Sequence, residues 1–370
     1  MSVTAASPGR QVRIVGTGLI GASLGIALSR RGFAVSLDDP SPTAAALARD
    51  LGAGVLAADN PSTPDVVVVA APPDVVADVV RAELARWPDA VVTDTASVKG
   101  AVLTALQAGG ADLSRYVGSH PMAGREKSGA MAAQVGLFEG RSWVVAPGPH
   151  ASVASVDAIR VIAESAGSVV LVMTPQEHDA AVAAVSHVPQ IAASLVASRL
   201  RDLPSGAVAL SGQGIRDVTR IAASDPGMWT QILAGNAPAV RGVLESLAQD
   251  LDGVLSALRQ LESDPDGGSI GARAVLARAV ADGNAGHALI PGKHGAAPTT
   301  YATVIVVIPD EPGELGRLLR DVGEAGVNME DLHLEHEIGQ PFGLAELAVL
   351  PGSVQPLVTA LTARGWPVHE

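Results

Sequence analysis

The chain has 370 residues, a net charge of −13, 48% hydrophobic and only 2% aromatic residues, and no cysteine. That length implies two or three domains, with cores built mainly of Ala, Val and Leu. The missing cysteine excludes structural disulfides, thiolate nucleophiles and Cys-ligated zinc, and the acidic balance argues against generic nucleic-acid binding. The N-terminus lacks a basic region followed by an apolar one, and no uninterrupted apolar run reaches membrane-spanning length, so a cytoplasmic protein is expected.

In chain order, residues 11–15 form an apolar run that ends in Gly16-Thr17-Gly18-Leu19-Ile20-Gly21. Residues 22–31 read as helix and 33–37 as a second strand, with Asp38 at its end. Strand, tight glycine turn, helix, strand is the context in which G-x-G-x-x-G binds a dinucleotide. Gly16 permits the turn, Gly18 lets a pyrophosphate approach the backbone, and Gly21 lets helix pack on strand. The phosphates would lie on the free N–H groups of the helix start, at Leu19, Ile20 and Gly21. Asp38 stands where a carboxylate holds the adenosine ribose, with Asp39 as the alternative. An acid there favours NAD over NADP by repelling a 2′-phosphate. Further strands at 65–70, 90–94, 116–119 and 143–146, with helical stretches between several of them, describe a doubly wound α/β sheet over residues 9–173.

Chemistry-bearing residues follow these strands. Ser97, in Thr95-Ala96-Ser97-Val98-Lys99, and His120, in Ser119-His120-Pro121-Met122-Ala123-Gly124, lie at strand ends that face the cofactor crevice, with Glu126 and Lys127 close behind. An imidazole there suits a general base, because it titrates near neutrality; the alternative is a turn histidine bonded to backbone. Only three lysines occur, Lys99, Lys127 and Lys293, against 22 arginines.

From about 175 the texture turns to Ala-rich helix, starting at Thr174-Pro175-Gln176-Glu177 with an N-cap threonine, Pro at N1 and a capping-box glutamate. Residues 174–285 are expected to form a helical domain. His178 and His187, nine apart, fall on opposite sides of an ideal helix and cannot form the i, i+4 pair of a metal-binding helix, so no metal is expected. Arg216 and Arg220, if helical, share one face about 6 Å apart at Cβ. Two like charges so placed make sense facing an anion, and Arg suits carboxylate capture. The alternative is a solvated face with Asp217 and Asp225 as counter-charges. Residues 286–300 read as a linker. The tail, 301–370, has strands at 302–308, 329–337 and 344–350, helices at 315–325 and 354–364, and a short last strand. That βαββαβ order describes a small ferredoxin-like module. His333 and His336 point to opposite faces of their strand and read as ordinary strand surface.

Taken together, the glycine loop, Ser97-Val98-Lys99, His120-Pro121-Met122-Ala123-Gly124, His178-Asp179, Ser186-His187-x-Pro189 and Arg216-Asp217-x-Thr219-Arg220-Ile221-Ala222, with Asp225-Pro226 and Trp229, resemble prephenate dehydrogenases over about residues 10–285. The tail, with residues 309–315 and Gly326-Val327-Asn328, resembles an ACT domain. The resemblance implies NAD-dependent oxidative decarboxylation of prephenate to 4-hydroxyphenylpyruvate in tyrosine biosynthesis, by a homodimer. It assigns His120 to the ring hydroxyl as base, Ser97 to positioning that hydroxyl and the imidazole, and Arg220 to the ring carboxylate. It also places Arg216, His187, Glu126, Lys127 and Trp229 around the substrate. Asp310, Pro312, Gly313, Leu315 and Asn328 would bind an aromatic amino acid effector, in the first instance tyrosine. Gln190 stands where many relatives have a second histidine, and Arg125 replaces a small polar residue; both bear on the choice between prephenate and arogenate. Gln190 adds no acid for arogenate's ammonium, which favours prephenate. A hydroxy-acid dehydrogenase with a catalytic lysine in its helical domain is disfavoured by the absence of lysine from 128 to 292. The rival from another class is a non-catalytic sensor of nucleotide and amino acid.

Overall fold

Val66–Val69 are four consecutive β-branched residues, each fully buried. Alternate side chains of a strand point to opposite faces, so Val66 and Val68 enter one core while Val67 and Val69 enter another. A strand apolar on both faces belongs inside a sheet covered on both sides. The structure, a computed structural model, describes residues 9–59, 62–124, 129–263, 270–290, 301–336 and 341–369. It divides into two compact units, Met1–Ala248 and Gln249–Glu370.

In the first unit the strands are β1 (Gln11–Val15), β2 (Ala34–Asp38), β3 (Val55–Leu56), β4 (Val66–Val69), β5 (Val91–Asp94), β6 (Tyr116–Pro121), β7 (Ser142–Pro147) and β8 (Val169–Val172). They form one sheet in the order β3-β2-β1-β4-β5-β6-β7-β8. Neighbours are parallel except β6 and β7, which run antiparallel. Helices Leu19–Ser29 and Val153–Ser165 cover one face, and Val76–Arg86 and Gly100–Ala108 the other. This is the Rossmann-type α/β fold expected from the sequence, with two more strands. The two unforeseen strands, β3 and β8, are the sheet's edges; they are only two and four residues long and mostly exposed, so they carry a weak pattern.

Strand order reverses between β1 and β4, which opens the crevice where such folds bind ligands. Gly16 and Ala70 face each other across it: a Cβ on Gly16 would come within 2.3 Å of the Ala70 carbonyl oxygen.

After β8 the chain becomes helical, as expected. Thr174 accepts from the Glu177 backbone N–H at 3.2 Å, and the Glu177 carboxylate accepts from the Thr174 N–H at 2.7 Å. Helix Pro175–Val182 then passes through a π-turn, Ala183–His187, into helix Val188–Arg199. In the π-turn the Val188 N–H reaches the Ala183 carbonyl, and the next residue is Pro189, which has no N–H to give. By length and composition alone the helical stretch Pro175–Asp202 could cross a membrane, although, as the sequence shows, it holds no uninterrupted apolar run of that length. Helices Gln213–Thr219, Pro226–Gly235 and Ala237–Ser263 follow.

The second unit contains helix Ile270–His287 and an antiparallel sheet of β9 (Ala302–Pro309), β10 (Met329–His336), β11 (Phe342–Val349) and β12 (Val368–His369), ordered β10-β11-β9-β12. Val304, Val306 and Ile308 of β9 alternate inward to meet Leu318 and Val322 of helix Glu314–Glu324 and Leu357 and Leu361 of helix Val354–Ala363. Helix Ile270–His287 runs two residues into the segment read as linker; Lys293 lies outside the described residues.

Candidate active site

The glycine loop is shaped by close approach. Gly16 has φ +96°, where L side chains are strained. A Cβ on Gly21 would sit 1.9 Å from the Gly16 carbonyl oxygen, whereas one on Gly18 meets nothing within 4 Å. Gly18 thus leaves space on the open side while Gly16 and Gly21 close the turn. Helix Leu19–Ser29 has no side-chain cap and no acid in its first turn; its first intrahelical bond is from Ala22 to Gly18, at 2.9 Å. The N–H groups of Leu19, Ile20 and Gly21 precede that bond and have no helical acceptor. The loop fits a dinucleotide pyrophosphate.

Asp38, at the carboxyl end of β2, is half exposed and ion-paired with Arg13. Arg13 is buried in β1 and also donates to Glu83 at 2.8 Å. Asp39 is occupied differently: its carboxylate accepts from the Thr17 N–H at 2.7 Å and the Thr17 hydroxyl at 2.9 Å. Of the two acids, Asp38 is the one open to a ribose, and Asp39 braces the glycine loop.

A second network lies beneath the ends of β5 and β6. Asp94 and Lys99, both fully buried, form an ion pair, and Lys99 Nζ also donates to the Ser119 carbonyl at 2.6 Å. Tyr116 donates its hydroxyl to Asp94 at 2.7 Å, and the Ala96 N–H reaches the same carboxylate at 2.8 Å. Buried charges persist only when paired and hydrogen-bonded. Burial pushes Lys99 down, against the pull of Asp94, and pushes Tyr116 well up, with Asp94 adding. The network ties the Ser97 loop to the strand residue preceding His120.

His120 lies within β6, which extends two residues past the expected strand end. Its Nδ1 is 2.9 Å from His178 Nε2, and His178 Nδ1 is 2.8 Å from Asp179 Oδ1. Asp179 also accepts from the backbone N–H groups of Lys99 at 2.9 Å and Gly100 at 2.8 Å. Burial, reinforced by His178, Lys99 and His187, holds His120 well below 6.5. Burial by itself would raise Asp179, but its bonds to His178, Lys99 and Gly100 hold it below the usual carboxylate value. His120 is therefore a neutral imidazole at neutral pH, the form a general base needs.

His187 is buried and pushed down by burial, with Asp179 opposing and His178 adding. Asn236 Nδ2 bridges the Asp179 carbonyl at 2.8 Å and His187 Nδ1 at 3.1 Å, and Trp229 stands edge-on to His187 with centroids 6.0 Å apart. This corrects the expectation that His178 and His187 lie on opposite sides of a helix. The π-turn between them adds one residue per turn, about 100° of phase, and brings both buried rings toward Asp179 and Asn236.

Arg216 lies in the helix that ends at Thr219, and Arg220 is its αR cap, opening a 3₁₀ turn, Arg220–Ala222. Both are exposed. Helix Val188–Arg199 packs against both segments, and the Ser224 hydroxyl donates to Gln190 at 3.4 Å. Ser97 is half buried on its loop, and the bond to the His120 ring comes from His178. Glu126 and Lys127 lie outside the described residues, as does Arg125. Sequence reasoning missed His178 and Asp179 as partners of His120, and Asn236 altogether. The available signal was the His-Asp pair in the first turn of a well-capped helix.

Comparison with known proteins agrees with this geometry. The family described as "Prephenate dehydrogenase, nucleotide-binding domain" matches residues 24–172, and "Prephenate dehydrogenase, dimerization domain" matches 174–266. A probable prephenate dehydrogenase, NovF, from Streptomyces niveus is 36% identical over 98% of this chain and 100% of its own length. Prephenate dehydrogenase of Bacillus subtilis is 27% identical, covering 87% of each chain. The crystal structure of Aquifex aeolicus prephenate dehydrogenase with hydroxyphenyl propionate and NAD+ superposes with a TM-score of 0.62 at 29% identity, covering 70% of this chain and 94% of that one. With a nucleotide cradle at the strand-order reversal, a neutral histidine at the end of β6, and a relative matched along nearly the whole chain, the protein belongs to the prephenate dehydrogenase family.

Proposed function

We propose that the chain is an NAD-dependent prephenate dehydrogenase, converting prephenate to 4-hydroxyphenylpyruvate and CO2 in tyrosine biosynthesis. The observation that carries the reading is a neutral, backed His120 at the carboxyl end of β6, on the same edge of the parallel sheet as the glycine cradle after β1. Bound NAD supplies the hydride acceptor. His120 takes the proton of the ring hydroxyl as hydride leaves the same carbon, and can return it once loss of CO2 makes the ring aromatic. Ser97 positions that hydroxyl. Arg220 holds the ring carboxylate, with Arg216, His187 and Trp229 around the substrate. Leu19, Ile20 and the three glycines hold the pyrophosphate, Ser97 borders the cofactor, and Asp38 holds the ribose. Because rearomatisation drives the carbon–carbon cleavage, the protein mainly orients the substrate and starts the transfer.

The side-chain preference is for prephenate over arogenate. Gln190 is buried and engaged with Ser194 and Ser224 at 3.4 Å each, and it presents an amide where an ammonium would favour an acid. The test follows NADH formation with prephenate and arogenate in parallel, each with NAD or NADP. Turnover of prephenate with NAD is expected; silence on both from protein that binds NAD would overturn the assignment and favour a sensor.

The reading extends to assembly, location and regulation. The protein is read as cytoplasmic, and a homodimer formed through the helical domain is supported by exposed Leu247, Leu251, Leu255 and Leu258, spaced as a single stripe along helix Ala237–Ser263. The domain limits follow the sequence reading: 9–173, 174–285, a linker at 286–300, and 301–370. The last is read as a ferredoxin-like ACT domain, supported by its strand order and its two helices. Its effector, an aromatic amino acid and in the first instance tyrosine, would bind near Asp310, Pro312, Gly313, Leu315 and Asn328. Gly313 has φ +99° at the helix start, and Asn328 donates to Glu330 at 2.8 Å.

A further inference from the structure

We propose that His178 and Asp179 are positioning residues that set the tautomer of His120, leaving its Nε2 as the proton acceptor and taking up the charge that the reaction creates. This rests on the reading of His120 as the base.

The argument starts at Asp179. Its Oδ1 accepts from the Lys99 N–H at 2.9 Å and its Oδ2 from the Gly100 N–H at 2.8 Å, at the start of helix Gly100–Ala108. A Cβ at position 100 would come within 2.8 Å of Asp179 Oδ2, so a larger residue there would push the carboxylate aside. Asn236 fixes the Asp179 backbone through its carbonyl. An ionised carboxylate only accepts, so His178 Nδ1, 2.8 Å away, carries a hydrogen. His178 is fully buried, and as a neutral ring it has a bare Nε2. That nitrogen, 2.9 Å from His120 Nδ1, then accepts from it. His120 Nε2 is left with its lone pair. A carboxylate that fixes an imidazole's tautomer from behind is the logic of hydrolase triads, here extended by one ring.

The same geometry moves the charge. The substrate O–H breaks as an N–H forms at His120 Nε2; the His120 Nδ1–H breaks as an N–H forms at His178 Nε2. The positive charge ends on His178 beside the Asp179 carboxylate, away from the other cations near His120. Those are Lys99, tied to Asp94 and the Ser119 carbonyl, and His187 when protonated. Return of the proton to the product oxygen retraces both steps.

The test compares H178Q, D179N and H120N in the full-length protein by kcat, KM, NAD affinity and the pH profile of kcat/KM. H178Q is expected to lose about 10²-fold in kcat with NAD affinity and KM retained. Its acid limb should move, because glutamine can accept from His120 Nδ1 but cannot take a proton from it; a merely structural role would not move it. Wild-type kcat and an unmoved limb in H178Q, alongside an inactive H120N, would overturn the relay and leave the base reading standing. Full activity in H120N would overturn the base reading itself. If H178Q fails to bind NAD, D179N decides by the same readouts: a comparable fall in kcat with NAD affinity kept supports the relay, and unchanged kcat rejects it.

Discussion

The depressed titration of His120 has consequences that can be measured one side chain at a time. Since its neutral form persists below 6.5, kcat/KM should stay flat as pH falls through that value and drop only further into acid; an acid limb above 6.5 would contradict the burial that lowers it. H120N should reduce kcat by roughly 10²–10⁴-fold. Stability follows the same sign. With His120 and His187 both depressed in the folded state, the unfolded chain binds more protons around and below 6.5. Stability therefore decreases as pH falls through that range, and Tm scans across it should show the decline. R220A is expected to raise KM for prephenate more than it lowers kcat, the pattern of lost ground-state binding. The glycines separate folding from function. G18A adds a methyl where nothing lies within 4 Å, so it should fold normally and lose NAD affinity, while G21A meets the Gly16 carbonyl at 1.9 Å and should lower Tm. Equal Tm losses in the two variants would contradict the assignment of Gly18 to the ligand side.

Among elements, the helix that begins at Thr174 bears the most weight, because it carries His178 and Asp179 in its first turns. T174A removes the capping-box acceptor and is expected to cost about 0.5–2 kcal/mol, read from denaturant unfolding, with a smaller kcat if the relay is displaced. Most of this element was legible from residues alone: Thr174, Pro175 and Glu177 announce its start by chemistry local to four positions. Its phase was not. An ideal helix puts His178 and His187 apart, and only the π-turn before Pro189 turns them to the same side. The missing N–H of Pro189 signals a perturbed helix without saying whether it kinks, breaks or widens. At Arg216 and Arg220 the local pattern carried further: the helix runs to Thr219 and tightens into a 3₁₀ turn only from Arg220.

At the scale of the molecule, removal of residues after 295 should abolish any inhibition by tyrosine and leave turnover of prephenate intact; inhibition that survives the truncation would place the effector at the active site. The βαββαβ order of the tail, the glycine cradle and the doubly wound sheet were all readable in the sequence. Each rests on short-range patterning: alternation at period two, glycines at fixed offsets, and an acid at a strand end. What tertiary structure alone decided is which side chains meet. His120 and His178 are 58 residues apart, Lys99 and Asp179 80 apart, and His187 and Asn236 49 apart. No local pattern reports such encounters, because they depend on how the helical segment packs on the carboxyl end of the sheet. The sequence by itself determined the fold of each part and the chemistry within reach; packing determined that His120 is backed by His178 and Asp179, since only burial brings those groups within hydrogen-bond distance and makes their titration interdependent.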